Sequence, residues 1–212
     1  PANLLVFEVQ TTVEGAMREY WAQQSFVELH SPKLMHSASE SGADTFSTRY
    51  FDLGSAYLAQ SPQFYKQMAI AAGFERVFEI GPVFRAEPSL TLRHAAEFTS
   101  VDVEMAWVES HEDVMRMEEE WLHSILSAVR RQHGEAIERT FGVSVIVPPS
   151  SFPRLTMRDA HVLLRELGHE IAPTTKAGDI DPAGERVLAQ LALDTHGSEF
   201  LFLTEYPTSL LG

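Results

Sequence analysis

The chain has 212 residues, of which 44% are hydrophobic and 22% are charged, a composition typical of one globular domain rather than of a disordered segment. Its formal net charge of −14 argues against binding nucleic acid through bulk positive charge. No apolar run approaches the roughly 18 residues of a membrane-spanning helix, and residues 1–5 do not resemble a signal peptide. The absence of cysteine excludes disulfides and thiolate chemistry, and it suits a reducing cytoplasm, where we expect the protein.

The first part of the chain is predicted to form a helix followed by short strands. A helix is predicted over residues 9–24 because an apolar stripe recurs there at helical spacing. The stripe consists of Val13, Ala16, Met17, Tyr20 and Trp21. A strand over 26–29, ended by Ser31-Pro32, and a mobile loop over 36–48 are predicted next. A further strand at Ala56–Ala59 precedes a helix that begins with Ser61 as N-cap and Pro62 at N1 and ends at Gly73.

The second part alternates strands with longer helices. Three strands are predicted, at Arg76–Ile80, Pro82–Ala86 and Phe98–Val108, with a polar loop before the last. Three helices follow: one from the capping box at Ser110–Asp113 to just before Gly134, one from Thr156 to Gly168, and one from Asp181-Pro182 to Gly197. A last strand is predicted at Phe200–Leu203. This order indicates an α+β fold in which helices flank an antiparallel β-sheet.

One candidate site is the segment 60–67, at the start of a predicted helix. Gln63 and Lys66 are three residues apart and therefore share a helical face. Lys66 is one of three lysines in the chain, and at a helix N-terminus it could receive a carboxylate ligand. The alternative is a capped surface helix with a solvated polar face.

A second candidate site lies where the predicted strands Pro82–Ala86 and Phe98–Val108 face each other. Two guanidinium groups, an imidazole and an aromatic ring converge there: Arg85, Arg93, His94 and Phe98. Arginines can bind a triphosphate and an aromatic face can stack on a purine. The alternative is a hairpin with two structural ion pairs, in which these arginines bind Glu87 and Glu97.

Two acidic residues on the strand that follows Phe98 form a third candidate site. Asp102 and Glu104 alternate along the strand and point to one face, where they could bind an ammonium group or magnesium, or be solvated. The chain has no glycine-rich loop of the P-loop or dinucleotide-binding type, and its histidines show no metal-ligand spacing.

Taken together, these segments resemble the catalytic domain of class II aminoacyl-tRNA synthetases, and within them the aspartyl branch of the aspartate/asparagine subgroup. The helix and strand before Ser31-Pro32-Lys33 look like the first motif of that class. The residues Phe84–Glu87, Arg93-His94 and Glu97-Phe98 look like its second motif, and Gln60–Gln67 is close to the aspartyl form. The resemblance covers nearly all of residues 1–212, including Gly178–Asp181, Gly184–Arg186 and Thr204–Pro207.

The resemblance implies roles for individual residues of an aspartate-binding site. Lys66 would pair with the side-chain carboxylate of the amino acid and reject neutral asparagine. Ser61, Gln63 and Asp102 would surround the α-amino group, and Glu40 would lie on a loop that closes over the amino acid.

The resemblance also implies an ATP-binding site. Arg85 would bind the α-phosphate and stabilise its charge during attack by the aspartate carboxylate. Glu87, Arg93 and His94 would fix the adenine and the outer phosphates, and Phe98 would stack under the adenine. ATP, Mg²⁺, L-aspartate and tRNA are the implied ligands, with charging of the asparagine acceptor left open.

The chain departs from the family pattern at its end. The third motif, the main acidic magnesium ligands and the anticodon-binding β-barrel are absent, so we expect a fragment, a partial record or a degenerate paralogue. The leading hypothesis is the catalytic portion of an aspartate–tRNA ligase. The alternatives are a paralogue that activates an amino acid for another acceptor, and a non-catalytic dimeric regulator. A homodimer is expected, built on the apolar stripe of the first helix and extended by Pro32.

Overall fold

The computed structural model describes residues 2–37, 45–86 and 95–210. The chain divides into two compact units, which we call the central unit (Glu19–Glu109) and the split unit (Pro1–Arg18 with Ser110–Gly212). Helix α1 (Ala2–Gln23) contributes residues to both units and begins earlier than the predicted helix over 9–24. Within the described ranges, no helix is both long enough and apolar enough to cross a membrane.

Two sheets and one helix make up most of the central unit. The first sheet has the order β1-β5-β6 and the second has the order β2-β4-β3. The strands are β1 (Val27–Glu28), β2 (Leu34–Met35), β3 (Ser47–Arg49), β4 (Ser55–Leu58), β5 (Arg76–Phe84) and β6 (Glu97–Met105). Strand β1 is parallel to β5, and β5 and β6 form an antiparallel pair over nine residues each. Helix α2 (Gln63–Ala71) follows β4.

The prediction of two separate strands at 76–80 and 82–86 is wrong, because β5 continues through Gly81 and Pro82. The N–H of Phe84 points away from β6, since it donates to the carbonyl of Ala59. Because N–H directions alternate along a strand, the nitrogen of Pro82 lies on the same side. On that side of β5, the described residues of β1 pair with Val77 and Phe78, so the pairing along β5 ends before Pro82. The proline therefore removes no ladder hydrogen bond.

The prediction of a loop over 36–48 is also wrong at its C-terminal end, because Ser47–Arg49 forms strand β3 against β4. All three side chains are exposed, so the segment has no apolar alternation that sequence could reveal. Residues 38–44 of that loop lie outside the described residues. At α2 the helix begins one residue later than predicted, since Pro62 occupies the N-cap position and the Ser61 hydroxyl accepts the N–H of Gln63 at 3.0 Å.

The apolar stripe of α1 is buried inside the chain rather than left exposed for a partner. In the split unit, Ala16 belongs to a buried cluster with Ile125 and Val129, and Val13 and Met17 pack against it. In the central unit, Trp21 is 0% exposed, and its ring centroid lies 4.9 Å from that of Phe26 and 5.9 Å from that of Phe78. Ala16, Tyr20 and Trp21 are therefore not available to a partner, and the homodimer stays a prediction.

The split unit is mainly helical. It contains α3 (His111–Phe141), β7 (Arg154–Thr156), α4 (Met157–Glu166), α5 (Pro182–His196) and β8 (Phe202–Thr204), with β7 and β8 parallel. The predicted capping box at Ser110 and Asp113 is confirmed, and Thr156 and Asp181, where helices were predicted to begin, are the N-caps of α4 and α5. The predicted end of α3 before Gly134 is wrong. The helix runs to Phe141, with Gly142 at a φ of 70° as its C-cap, because Ile137 beyond Gly134 joins the buried cluster.

Alanine substitution at two helical glycines of the split unit should change the free energy of unfolding in opposite directions. A Cβ at Gly134 would lie 3.6 Å from Arg130 Cγ, an ordinary contact, so Gly134→Ala should raise the free energy of unfolding by about 0.5–1 kcal/mol. A Cβ at Gly184 would lie 2.8 Å from Ile180 Cγ2, so Gly184→Ala should lower it by about 1–3 kcal/mol. Urea unfolding of both variants measures this, and a stabilising Gly184→Ala would contradict the packing described.

Asp181 should give the split unit a specific sensitivity to acid. The backbone N–H groups of Ala172 and Gly184 and the ring of His169 bind its carboxylate and lower its pKa from 3.8 to about 2. Because this pKa is lower in the folded state, the stabilisation is complete above about pH 4 and is lost as the pH falls towards 2. Asp181→Asn should therefore be less stable at neutral pH and lose less stability between pH 4 and pH 2, measured by urea unfolding. Equal pH slopes would contradict this account.

Candidate active site

The central unit presents a polar face on its β5–β6 pair. The register places Glu79 opposite Asp102, Gly81 opposite Ser100 and Val83 opposite Phe98. Cross-strand partners point to the same side of a sheet, and so do alternate residues along a strand. Glu104 and Arg85 therefore belong to this face as well. On the other face, Phe78 packs against Trp21, so the hydrophobic core of the unit supports the polar face from behind.

Helix α2 places Lys66 against this face. The Nζ atom lies 3.1 Å from Asp102 Oδ1, 3.2 Å from the carbonyl oxygen of Val103 and 3.6 Å from Glu104 Oε2. Lys66 is 3% exposed, so the alternative of a solvated surface lysine is wrong. Removing an ammonium group from water costs several kcal/mol unless it is paired, and the two carboxylates supply that pairing.

The neighbours of Lys66 form a connected hydrogen-bond network. Gln63 Nε2 donates to Glu104 Oε2 at 3.2 Å, and the Gln63 N–H donates to the Ser61 hydroxyl. The Ser100 hydroxyl donates to Asp102 Oδ2. The structure thus brings together Ser61, Gln63, Lys66 and Asp102, which the family resemblance implies around one amino acid.

The charges of this network are unequal. The ammonium of Lys66 faces the carboxylates of Asp102 and Glu104, so this group of three carries one excess negative charge if all are ionised. An excess negative charge beside buried hydrogen-bond donors suits a zwitterion, because the α-ammonium group is attracted to the carboxylates and an anionic group to Lys66. Asp102 and Glu104 pair with the ammonium of Lys66, and their binding of a ligand's ammonium group stays a prediction.

Arg85 and Phe98 lie at the other end of the same face. The Arg85 guanidinium carbon is 5.4 Å from the centroid of the Phe98 ring, a cation–π arrangement. The backbone N–H of Arg85 donates to the carbonyl of Ala96 at 2.9 Å, which extends the strand pairing by one step. The pair sets a cation beside an aromatic ring, the two kinds of group that can bind a phosphate and stack on a purine.

The remaining predicted ligand-binding residues are Glu40, Glu87, Arg93 and His94, and they lie outside the described residues. The alternative of two structural ion pairs, Arg85 with Glu87 and Arg93 with Glu97, also depends on residues outside that range. In the parts of the chain that the structure describes, no group of three or more His, Asp or Glu residues is placed to bind a metal ion.

Sequence reasoning missed Glu79 and its partner Lys33. Glu79 is a 2% exposed carboxylate between the buried residues Phe78 and Ile80. Its Oε1 accepts from Lys33 Nζ, and its Oε2 accepts the Ser31 N–H at 3.0 Å. An acidic residue inside an otherwise apolar strand was the available signal, because a buried charge requires a partner.

Comparison with known proteins shows the family to which this chain belongs. The family model described as class II tRNA synthetases (D, K and N) matches residues 1–211. The chain therefore belongs to this family.

The similar sequences point to the aspartate branch of the family. The chain is 41% identical over 209 residues to an "Aspartate--tRNA(Asp/Asn) ligase" of Aeropyrum pernix, covering 98% of this chain and 46% of that protein. It is 38% identical over 208 residues to an "Aspartate--tRNA(Asp) ligase" of Pyrococcus abyssi, with the same two coverages. The chain thus spans about half the length of the curated relatives it matches.

Solved structures of both branches have the same fold. An aspartyl-tRNA synthetase from Entamoeba histolytica matches with a TM-score of 0.78 and 32% identity over 98% of this chain and 38% of its own. An asparaginyl-tRNA synthetase from Pyrococcus horikoshii, complexed with asparaginyl-adenylate, matches with a TM-score of 0.80 and 31% identity over 97% of this chain and 45% of its own. These matches confirm the predicted α+β class II architecture.

Proposed function

We propose that residues 1–212 are a class II catalytic domain, the catalytic portion of an aspartate–tRNA ligase that activates L-aspartate with ATP and transfers it to tRNA. The observation that carries this proposal is the buried ammonium of Lys66, fixed by Asp102 and Val103 on the polar face of the central unit. The similarity to proteins named aspartate–tRNA ligases supports it.

Lys66 is our candidate for recognition of the aspartate side chain. An ammonium group has three N–H donors, and Asp102 Oδ1 and the Val103 carbonyl accept two of them. The third donor can bind the side-chain carboxylate of aspartate in a charge-assisted hydrogen bond, which neutral asparagine cannot match. Ser61, Gln63 and Asp102 would then surround the α-ammonium group, and Glu40 would approach the amino acid from its loop.

Arg85 is our candidate catalytic residue. Its guanidinium would bind the α-phosphate of ATP and stabilise the negative charge that develops there. Phe98 would stack on adenine, and Glu87, Arg93 and His94 would bind the rest of the nucleotide. The guanidinium above the Phe98 ring fits a nucleotide, because it sets a cation beside a stacking surface. Mg²⁺ would neutralise phosphate charge, with its main ligands expected outside these residues.

The proposed chemistry has two steps. The α-carboxylate of aspartate attacks the α-phosphorus, the bond to the β-phosphate oxygen breaks, and pyrophosphate leaves. A terminal ribose hydroxyl of tRNA then attacks the activated carbonyl carbon and AMP leaves. The first step needs no general base because a carboxylate is already a nucleophile, so positioning and charge stabilisation account for the acceleration. A cytoplasmic location fits the cysteine-free composition.

The proposal predicts a specific loss when Lys66 is removed. In the natural protein that contains this chain, Lys66→Ala should lower kcat/KM for aspartate by roughly 100- to 5,000-fold, because loss of one partner of a buried charge pair costs about 3–5 kcal/mol. The KM for ATP should change little. Aspartate-dependent ATP–pyrophosphate exchange measures both constants.

Two controls make that result specific. Lys176→Ala removes an exposed lysine and should leave both constants unchanged. The unaltered protein should use asparagine at least about 1,000-fold less well than aspartate, a comparison that does not depend on the variant folding. An unchanged aspartate KM in folded Lys66→Ala would contradict the substrate assignment. Absence of exchange in the unaltered protein would instead favour a non-catalytic regulator.

We also propose a homodimer, with its contact on the outer surface of α1 rather than on the buried stripe. Leu4 and Phe7 are exposed there, Phe7 by 66%, beside a shallow groove that Thr11, Gly15 and Arg18 help to line. Exposed apolar side chains on one helix face suit a symmetric contact between two copies. Sedimentation should give a dimer at micromolar concentration and a monomer for Phe7→Glu. A folded, monomeric unaltered protein would contradict this.

A further inference from the structure

Lys33 and Glu79 form a second ion pair beside the Lys66 network. Lys33 Nζ donates to Glu79 Oε1 and, at 3.0 Å, to the Ser31 hydroxyl. The other carboxylate oxygen of Glu79 accepts the N–H of Ser31. The Glu79 side chain is 3% exposed and that of Lys33 is 22% exposed. The carboxylate is therefore buried and fully engaged by the segment that precedes β2.

The position of Glu79 makes its pairing important for Lys66. Glu79 lies directly across the strand pair from Asp102, and both side chains point to the same face. Cβ atoms of such partners are about 4.5–5.5 Å apart. Without Lys33, the Glu79 carboxylate would be a buried, unpaired charge. The ammonium of Lys66, which is bound by Asp102, would then be within reach of the Glu79 side chain.

Gly81 leaves space for this arrangement. A Cβ at Gly81 would lie 3.2 Å from Glu79 Oε1 and 3.7 Å from Lys33 Cε. A glycine inside a strand is unfavourable unless another group must approach the backbone closely. Here that group is the Glu79 carboxylate, which lies close to the Gly81 backbone where it binds Lys33.

We propose that Lys33 is a positioning residue for the aspartate site. It binds Glu79 and keeps that carboxylate away from Lys66. The ammonium of Lys66 then remains available to the carboxylate of the amino acid. Glu79 would otherwise be a competing intramolecular anion. This inference rests on the proposed function for its consequence in catalysis, but the separation of the two ion pairs can be tested without it.

The charge separation can be tested on this chain by NMR. The chain contains three lysines, Lys33, Lys66 and Lys176, so labelling with ¹³C-lysine gives few side-chain signals to assign. Lys33→Met should shift the Cε–Hε signal of Lys66, because Glu79 now contacts it. Lys33→Met/Glu79→Gln should return the signal towards its original position, and the matched control Lys176→Met should not move it. A Lys66 signal that does not move in Lys33→Met overturns the inference.

The consequence for the proposed reaction is tested by pyrophosphate exchange in the natural protein. Lys33→Met should raise the aspartate KM roughly tenfold or more, the usual scale for a nearby opposite charge, with little change in the ATP KM. Lys33→Met/Glu79→Gln should restore the aspartate KM. A purely structural role predicts no rescue, so a double variant as impaired as Lys33→Met overturns the inference.

Two further variants keep the test decisive. If Lys33→Met does not fold, Gly81→Ala displaces the same carboxylate by steric contact and should also shift the Lys66 signal and raise the aspartate KM. Lys176→Met, the matched control, should keep the aspartate KM near that of the unaltered protein. If the NMR results agree and the unaltered protein shows no aspartate-dependent exchange, the proposed function fails while the charge separation stands.

Discussion

The burial of one ammonium group sets the requirements for the rest of the central unit. Lys66 is removed from water between Asp102 and Glu104, and without those carboxylates its burial would cost several kcal/mol. The carboxylates must therefore stand at alternate positions of a rigid strand, which requires the long β5–β6 pairing and the aromatic support of Trp21 behind it. Helix α2 must then place Lys66 against that strand.

Each lysine and each carboxylate on the polar face has a defined partner of opposite charge. Two lysines and three carboxylates share the polar face, and the described contacts assign Glu79 to Lys33 and assign Asp102 and Glu104 to Lys66. The second group carries the excess negative charge, so it attracts an ammonium group while still offering one donor to an anion. Arg85 concentrates positive charge at the other end of the face, where a phosphate would lie. In the proposed reaction, the separation of these charges along one strand pair would orient a zwitterion and a nucleotide relative to each other.

Local sequence signals were sufficient where a helix end depends on adjacent residues. The caps at Ser110, Thr156 and Asp181 could be predicted because the bonded groups are two or three residues apart. Contacts between distant residues could not be predicted. Lys66 and Asp102 are 36 positions apart and were united by the family resemblance, and Lys33 and Glu79, 46 positions apart, carried no such signal. The continuation of β5 through Pro82 likewise depends on where β1 ends.

The central claim is that the third donor of the Lys66 ammonium recognises the side-chain carboxylate of aspartate. A crystal structure of the natural protein with L-aspartate bound tests it most directly. The account predicts that Lys66 Nζ keeps its contact with Asp102 and also lies about 2.7–2.9 Å from a side-chain oxygen of the ligand, the usual length of a charge-assisted hydrogen bond. A ligand whose side-chain carboxylate binds elsewhere, with Lys66 bonded to protein groups alone, would contradict it.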